Sequence, residues 1–222
     1  MKLVLTSLLI SGVTWGYSQG NVEVNIVDFI KETQQWVKQD EEMILTWWIP
    51  NEYWRIVLSG NLQITPDFID RIESALQPYT LICAARIHTG LDGSIYYAEE
   101  QDIGKTIYML DQEDNQYLPL PDDQIQPDAL TLIDNMEPIF AQMLGEMGKG
   151  LHLYFFAGQN SQGEKLIDPT KNNVLKIVHS GWQFKWTTPL TTLLPPKFCP
   201  VDKEQMKGNW NYCPLHGIKL DP

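Results

Sequence analysis

Cys199-Pro200-Val201-Asp202 and, shortly after it, Cys213-Pro214-Leu215-His216 repeat one chemical device at close range. Each half begins with Cys-Pro and places a second possible ligand three residues after the cysteine, the spacing at which one tight turn aims two side chains at a single ion. A zinc ion is satisfied by four ligands in a tetrahedron, drawn from thiolate, imidazole and, less often, carboxylate. Cys199, Asp202, Cys213 and His216 supply those types, and a structural zinc held by all four is the first expectation. Were Asp202 not to bind, three protein ligands and a water would remain, which is the pattern of a catalytic zinc and admits a metal-dependent hydrolase. No general base lies close by in sequence, so the structural role is preferred. A third chemistry needs no metal: a Cys199–Cys213 disulfide would close a short loop worth about 3 kcal/mol in the entropic account of such bridges.

With those residues in view, the stretch 198–217 resembles a zinc ribbon, whose paired knuckles usually read Cys-Pro-x-Cys-Gly. Two positions depart from that pattern: Asp202 stands where the family has cysteine, and Lys203 stands where it has glycine. The resemblance therefore implies a metal site whose first knuckle is looser than its second. It is confined to this stretch, and residues 1–194 resemble no family.

Composition narrows what the rest can be. The chain has 222 residues with 43% hydrophobic and 20% charged side chains, ordinary proportions for a globular protein with one sizeable core. It opens with Lys2 and an apolar run from Leu3 to Trp15, too short to span a bilayer, which reads as a secretory signal. The small residues around Gly16 and Ser18 put cleavage near Gln19, so residues 1–18 are expected to leave and the protein is expected to be exported, periplasmic or secreted. Sixteen basic against 28 acidic residues give a formal charge of −12. Such a field repels phosphate backbones and anionic lipid, which argues against a nucleic-acid or membrane-surface partner. Three cysteines allow at most one internal bridge. Cys83, inside the apolar run from Thr80 to Ala85, reads as a small buried hydrophobe, leaving Cys199 and Cys213 as the pair.

The elements that must position this tail follow from pattern. Apolar residues at Ile26, Val27, Ile30 and Val37 predict an amphipathic helix over 22–37. An apolar run, 43–49, is closed by Pro50, which opens a second helix to Leu58. Thr65-Pro66-Asp67 starts a third helix, to about Leu76. Strands are predicted at 79–87, 94–98, 106–110, 117–120 and 151–157, with a hairpin over 174–187 that places Trp182, Phe184 and Trp186 on one face. Between them a helix from Pro127 to about Leu144 is expected to kink or split at Pro138. The order predicts an α+β fold over 19–194 with a mainly antiparallel sheet. Leu193-Leu194-Pro195-Pro196 then reads as a stiff connector to a small lobe, 195–222, with Trp210 and Tyr212 packing that lobe onto the body.

Weaker candidates meet simpler readings. Residues 158–165 faintly suggest a phosphate loop, but the lysine is displaced and no helix follows, so a polar hairpin turn is expected. Asp111, Glu113, Asp114 and Asn115 crowd oxygens enough for calcium yet lack the glycine and distal glutamate of an EF-hand. His88, His152 and His179, with Glu99 or Glu100, could form an acid/base cluster, although no spacing demands it. Trp47-Trp48 and Tyr53-Trp54 could line a ligand groove, with core packing the simpler reading. These residues point to a non-enzymatic exported module that binds a protein or small molecule and carries structural zinc; the alternatives are the hydrolase and the same module closed by a disulfide.

Overall fold

In a computed structural model, which describes residues 16–19, 22–143, 145–160 and 162–221, the apolar runs 43–49 and 79–87 lie side by side at the centre of the molecule. The chain enters through β1 (Gly16–Gln19) and β2 (Val22–Asn25), which pair antiparallel. The expected signal segment, 1–18, falls for the most part outside the described residues. Asn25 decides where the first helix begins, because its side chain accepts hydrogen bonds from the N–H groups of Val27 and Asp28. That helix, α1 (Ile26–Thr33), is shorter than the predicted 22–37. Thr33 turns its hydroxyl back onto Phe29 O, and the next residues leave the helix for β3 (Gln34–Gln39), drawn into register with β4 (Glu42–Ile49). The long-range ladder overrides the helical period at Val37.

β4 continues through the Pro50 turn into α2 (Glu52–Leu58) and α3 (Pro66–Leu76), the latter capped by Thr65 as predicted. β5 (Tyr79–Thr89) then pairs along the whole of β4. Its far side carries β6 (Ile95–Tyr97) at one end and β9 (His152–Ala157) at the other, completing an antiparallel sheet of five strands. Between these come α4 (Glu100–Gly104), which the apolar pattern does not announce, then β7 (Tyr108–Leu110), β8 (Gln116–Tyr117) and α5 (Pro127–Met143). Helix α5 runs on unbroken through Pro138, and a 3-10 segment follows at Gly145–Gly150. β10 (Asn173–His179) and β11 (Trp182–Thr188) form the predicted hairpin, and with β7 and β8 they make a second antiparallel sheet, ordered β11-β10-β7-β8.

Alternation along β4 stacks these parts into three layers. Trp47 faces the helices, donating its indole N–H to Thr33 Oγ1 and meeting Tyr53 and Phe140 edge-on at 5.5 and 5.3 Å between ring centres. Thr46 and Trp48 face the other way, onto the second sheet, where they meet His179 and Trp186. The aromatic run is therefore mostly core, as its simpler reading held. In the hairpin Phe184 and Trp186 are buried, whereas Trp182 stands exposed at the strand's start. The fold is α+β with antiparallel sheets. Among the described residues no helix is long and apolar enough to cross a membrane.

The tail is reached through a 3-10 turn, Thr191–Leu193, tied to α1 by Glu32, whose carboxylate accepts hydrogen bonds from the Thr191 and Thr192 N–H groups and the Thr192 hydroxyl. Beyond it β12 (Lys197–Phe198) and β13 (Gln205–Met206) make a ribbon of their own. Cys199, Met206, Cys213 and Leu220 form a buried cluster separate from the main core. Gly208 sets the tail close against the connector, since a Cβ there would stand 2.4 Å from Pro195 O.

Candidate metal centre

Both Cys-Pro halves fold into the same turn. Cys199 donates its N–H to Glu204 O at 2.9 Å, and Lys203 donates back to Cys199 O at 2.9 Å. In the second half Cys213 N–H reaches Ile218 O at 2.8 Å and Gly217 N–H reaches Cys213 O at 2.8 Å. The fifth residue of each turn is left-handed, Lys203 at φ 63° and Gly217 at φ 64°. The lysine adopts the glycine conformation, so the first knuckle has the same hydrogen-bonded form as the second and the expected looseness is absent from its backbone.

These turns bring side chains from both halves to one point. His216 Nδ1 lies 3.3 Å from Cys199 Sγ and 3.5 Å from Cys213 Sγ. Zinc–ligand bonds of about 2.3 Å to sulfur and 2.0–2.1 Å to nitrogen, opened at the tetrahedral angle, put sulfur and nitrogen about 3.6 Å apart. The three ligand atoms lie within 4.8 Å of one another, and among the described residues this is the group that can hold a metal ion. Asp202 stands beside them: Oδ1 accepts the Glu204 N–H at 3.0 Å, while Oδ2 lies 3.6 Å from His216 Nδ1.

The electrostatics of the two sulfurs differ. Burial pushes both thiols up, and both receive backbone N–H groups, from Asp202 and Val201 at Cys199 and from His216 and Leu215 at Cys213. At Cys199 burial prevails, helped by the neighbouring Asp202 and Cys213, and its thiol sits above the usual value. At Cys213 the N–H groups and the His216 ring together outweigh burial, and its thiol is held below the usual value. The Asp202 carboxyl is lowered chiefly by the Glu204 N–H, then by Cys199 and His216. Hydrogen bonds to sulfur are the support that thiolate ligands need when they give up protons to a metal.

Among the described residues the remaining candidates do not come together as a second metal group. Cys83 is fully buried and unbridged, its thiol pushed well above the usual value by burial. Asp111 is saturated within its own turn by the Glu113 and Asn115 N–H groups, the Asn115 amide and the Tyr117 hydroxyl, which leaves no calcium cradle. Residues 158–160 and 162–165 close a turn, with Asn160 and Glu164 bonded across it. The three histidines have separate partners: His88 lies by Tyr96, His152 Nε2 is 3.1 Å from Ala98 O, and His179 is buried against Thr46. Along β5, His88 sits four residues from Ala84, where His152 pairs, roughly 13 Å away. Trp210 packs on the tail's own cluster and Tyr212 is exposed, so neither docks the tail to the body as expected. Two side chains with no motif around them, Asn51 and Glu52, carry buried oxygens without partners; only their burial marks them. The chain matches no family profile, no curated protein and no solved structure.

Proposed function

We propose that Cys199, Cys213 and His216 hold one zinc ion with Asp202 as the fourth ligand, and that this centre is the structural staple of a non-enzymatic, exported binding module. The observation that carries this reading is the convergence of both halves on His216 Nδ1, two sulfurs and one carboxylate oxygen standing 3.3–3.6 Å from it. For zinc bonds of about 2.1 Å, nitrogen and oxygen belong about 3.4 Å apart, close to the Asp202 separation. A hydrolytic centre needs that corner open for water; with Asp202 in it the coordination is closed. Export rests on the sequence alone, on Lys2 and the apolar run that follows it. A binding role without chemistry of its own fits a site so closed.

Intact-mass spectrometry of the exported full chain, under native and denaturing conditions, tests this directly. One equivalent of zinc, lost on denaturation with both thiols reduced, is the expected result. A mass two hydrogens light with no metal would replace the zinc by a Cys199–Cys213 disulfide. Cobalt substitution then tests closure: the d–d bands of a tetrahedral two-thiolate site should change in Asp202→Ala, and bands that do not move would remove Asp202 from the ligand set.

A further inference from the structure

Exposed apolar side chains crowd into the tail. Phe198, Val201, Tyr212, Leu215 and Ile218 all lie within residues 198–218, and each is 41–69% exposed. Apolar residues standing singly on a surface need no explanation, but a group of them rimmed by polar residues marks a place where another molecule sits. The two turns show how three of these are grouped. Val201 immediately precedes Asp202 and Leu215 immediately precedes His216; Asp202 Oδ2 and His216 Nδ1 are 3.6 Å apart, so the two aliphatic residues flank one spot. Ile218 closes the second turn, its carbonyl accepting the Cys213 N–H. The His216 side chain is 34% exposed. Its Nδ1 faces the two sulfurs, and among the described residues its Nε2 has no hydrogen-bond partner.

The chemistry of the occupant follows from what this face lacks. A histidine that gives Nδ1 to a metal carries its proton on Nε2, and such ligands commonly pass that N–H to a carboxylate, a carbonyl or water. Charge decides among these. Residues 195–222 hold four lysines against three acids, a net +1, so the −12 of the whole chain leaves −13 on the rest. Lys203 closes the first turn and Lys219 pairs with Tyr212 beside the second; both side chains are exposed and form no ion pair among the described residues. Only Glu204 and Asp221 oppose the tail's lysines, Asp202 being a ligand on the reading above. Screening beyond about 8 Å at physiological salt makes the nearest charges the ones that count. A phosphate chain offers nothing to the apolar residues between these cations, whereas a polypeptide offers both carboxylates and aliphatic side chains. We propose that the face formed by Val201, Leu215 and Ile218 around His216 docks an acidic polypeptide segment of a partner protein. One carboxylate takes the His216 Nε2–H, and aliphatic side chains of the segment cover the three apolar residues. This is the partner class of the binding module described above, and it rests on that reading.

The test is titration of the full-length protein with the capped hexapeptide Leu-Asp-Leu-Asp-Leu-Asp, read from the methyl resonances of Val201, Leu215 and Ile218, with zinc content measured by native mass spectrometry on the same sample. Saturation with a Kd of about 1 mM or tighter is expected, weakening as salt is added. Leu215→Glu and Val201→Glu should each weaken binding by about tenfold or more, because they set a like charge against the peptide. Both side chains are exposed, so neither change should alter the zinc content. Lys219→Glu should weaken binding about two- to fivefold. The counterparts Leu-Lys-Leu-Lys-Leu-Lys and Ser-Asp-Ser-Asp-Ser-Asp should not saturate. A protein that holds one equivalent of zinc and ignores the peptide overturns the docking face and leaves the zinc staple standing. One without zinc that binds the peptide, and loses it in Leu215→Glu, overturns the staple and keeps the face; failure of both overturns both. Binding unchanged in the two glutamate variants, or equal binding of either counterpart peptide, also overturns the face. So does self-association of the chain relieved by Leu215→Glu, which would give the face to a second copy.

Discussion

Around Trp47 the body gathers Phe29, Tyr53, Trp54 and Phe140, all buried and in ring-to-ring contact or next to it, beneath a sheet of five strands. Around Cys199 the tail gathers only Met206, Cys213 and Leu220, with Trp210 laid against them, between ribbons of two residues a strand. A cluster of that size cannot offset the chain entropy of some twenty residues, whereas the body's core can. What the tail has instead is the Cys199, Cys213 and His216 group, with Asp202 beside it, held by paired turns. The same chain thus uses two different sources of order, burial in one region and, on the reading above, coordination in the other. Each makes a different prediction for what should break it.

The largest effect expected is removal of the metal. Structural zinc contributes about 10–16 kcal/mol to the folding of small zinc domains. Chelation at neutral pH should therefore erase the ordered signals of the tail, read at the Trp210 indole, and leave the melting of the body in place. Cys213→Ser should lower zinc affinity at least about a hundredfold, at or beyond the upper end of what loss of a supporting residue does. If chelation melts body and tail together, the two regions are not independent. If it changes neither, coordination is not what orders the tail.

The converse change is Trp47→Ala. Emptying a fully buried tryptophan site costs about 3–5 kcal/mol, which for a chain of this length lowers the melting temperature by roughly 6–20 °C. Zinc affinity of the tail should stay within about twofold of wild type, since sites this separate add independently. A large loss of zinc affinity would show that the tail depends on the body's packing.

Acid separates the two regions by another route. His179 is fully buried between the sheets, and burial holds its pKa down to about 4, against a partial pull upward from the Leu45 backbone. Unfolded, the ring titrates near 6.5, so above that pH both states are neutral and nothing changes. As pH falls from 6.5 towards 4 the unfolded chain takes up a proton that the folded one refuses, and stability is lost. Those 2.5 units amount to about 3 kcal/mol. Denaturant titrations of the body across that window should show this loss in the wild type and a flatter profile in His179→Gln. Parallel profiles would assign the acid sensitivity to other groups.

Much of this was legible before the coordinates, and the failures have physical causes. The Thr65-Pro66 cap, the 174–187 hairpin and the strand at 79–87 are set by local rules, and they stand where those rules put them. The helix over 22–37 is cut short at both ends, because its first four residues pair with β1 and its last four with β4: a ladder to another strand is invisible to a window of local periodicity. The Cys199, Cys213 and His216 group was readable because its spacing lies within two short turns, where geometry is local. What spacing could not convey was the exchangeability of Lys203 with glycine.

That exchange supplies the finest test of the comparison. Lys203 holds φ 63° where Gly217 holds φ 64°, so one turn is closed by the residue suited to that conformation and the other by one that is not. A left-handed residue with a Cβ costs roughly 1–2 kcal/mol, and glycine's greater freedom in the unfolded chain returns about 0.5–1 kcal/mol of that. Lys203→Gly should therefore stabilise the first turn by about 0.5–1 kcal/mol. If coordination and turn formation are one event, the gain appears as zinc affinity two- to fivefold tighter in a competition with chelator. Melting of the body should not register it. Gly217→Ala, placing a Cβ in the same conformation of the second turn, should weaken zinc by a similar factor. A body that responds while zinc affinity does not would mean that the tail is ordered by contact with its neighbour, and that the Cys199, Cys213 and His216 group is a bystander.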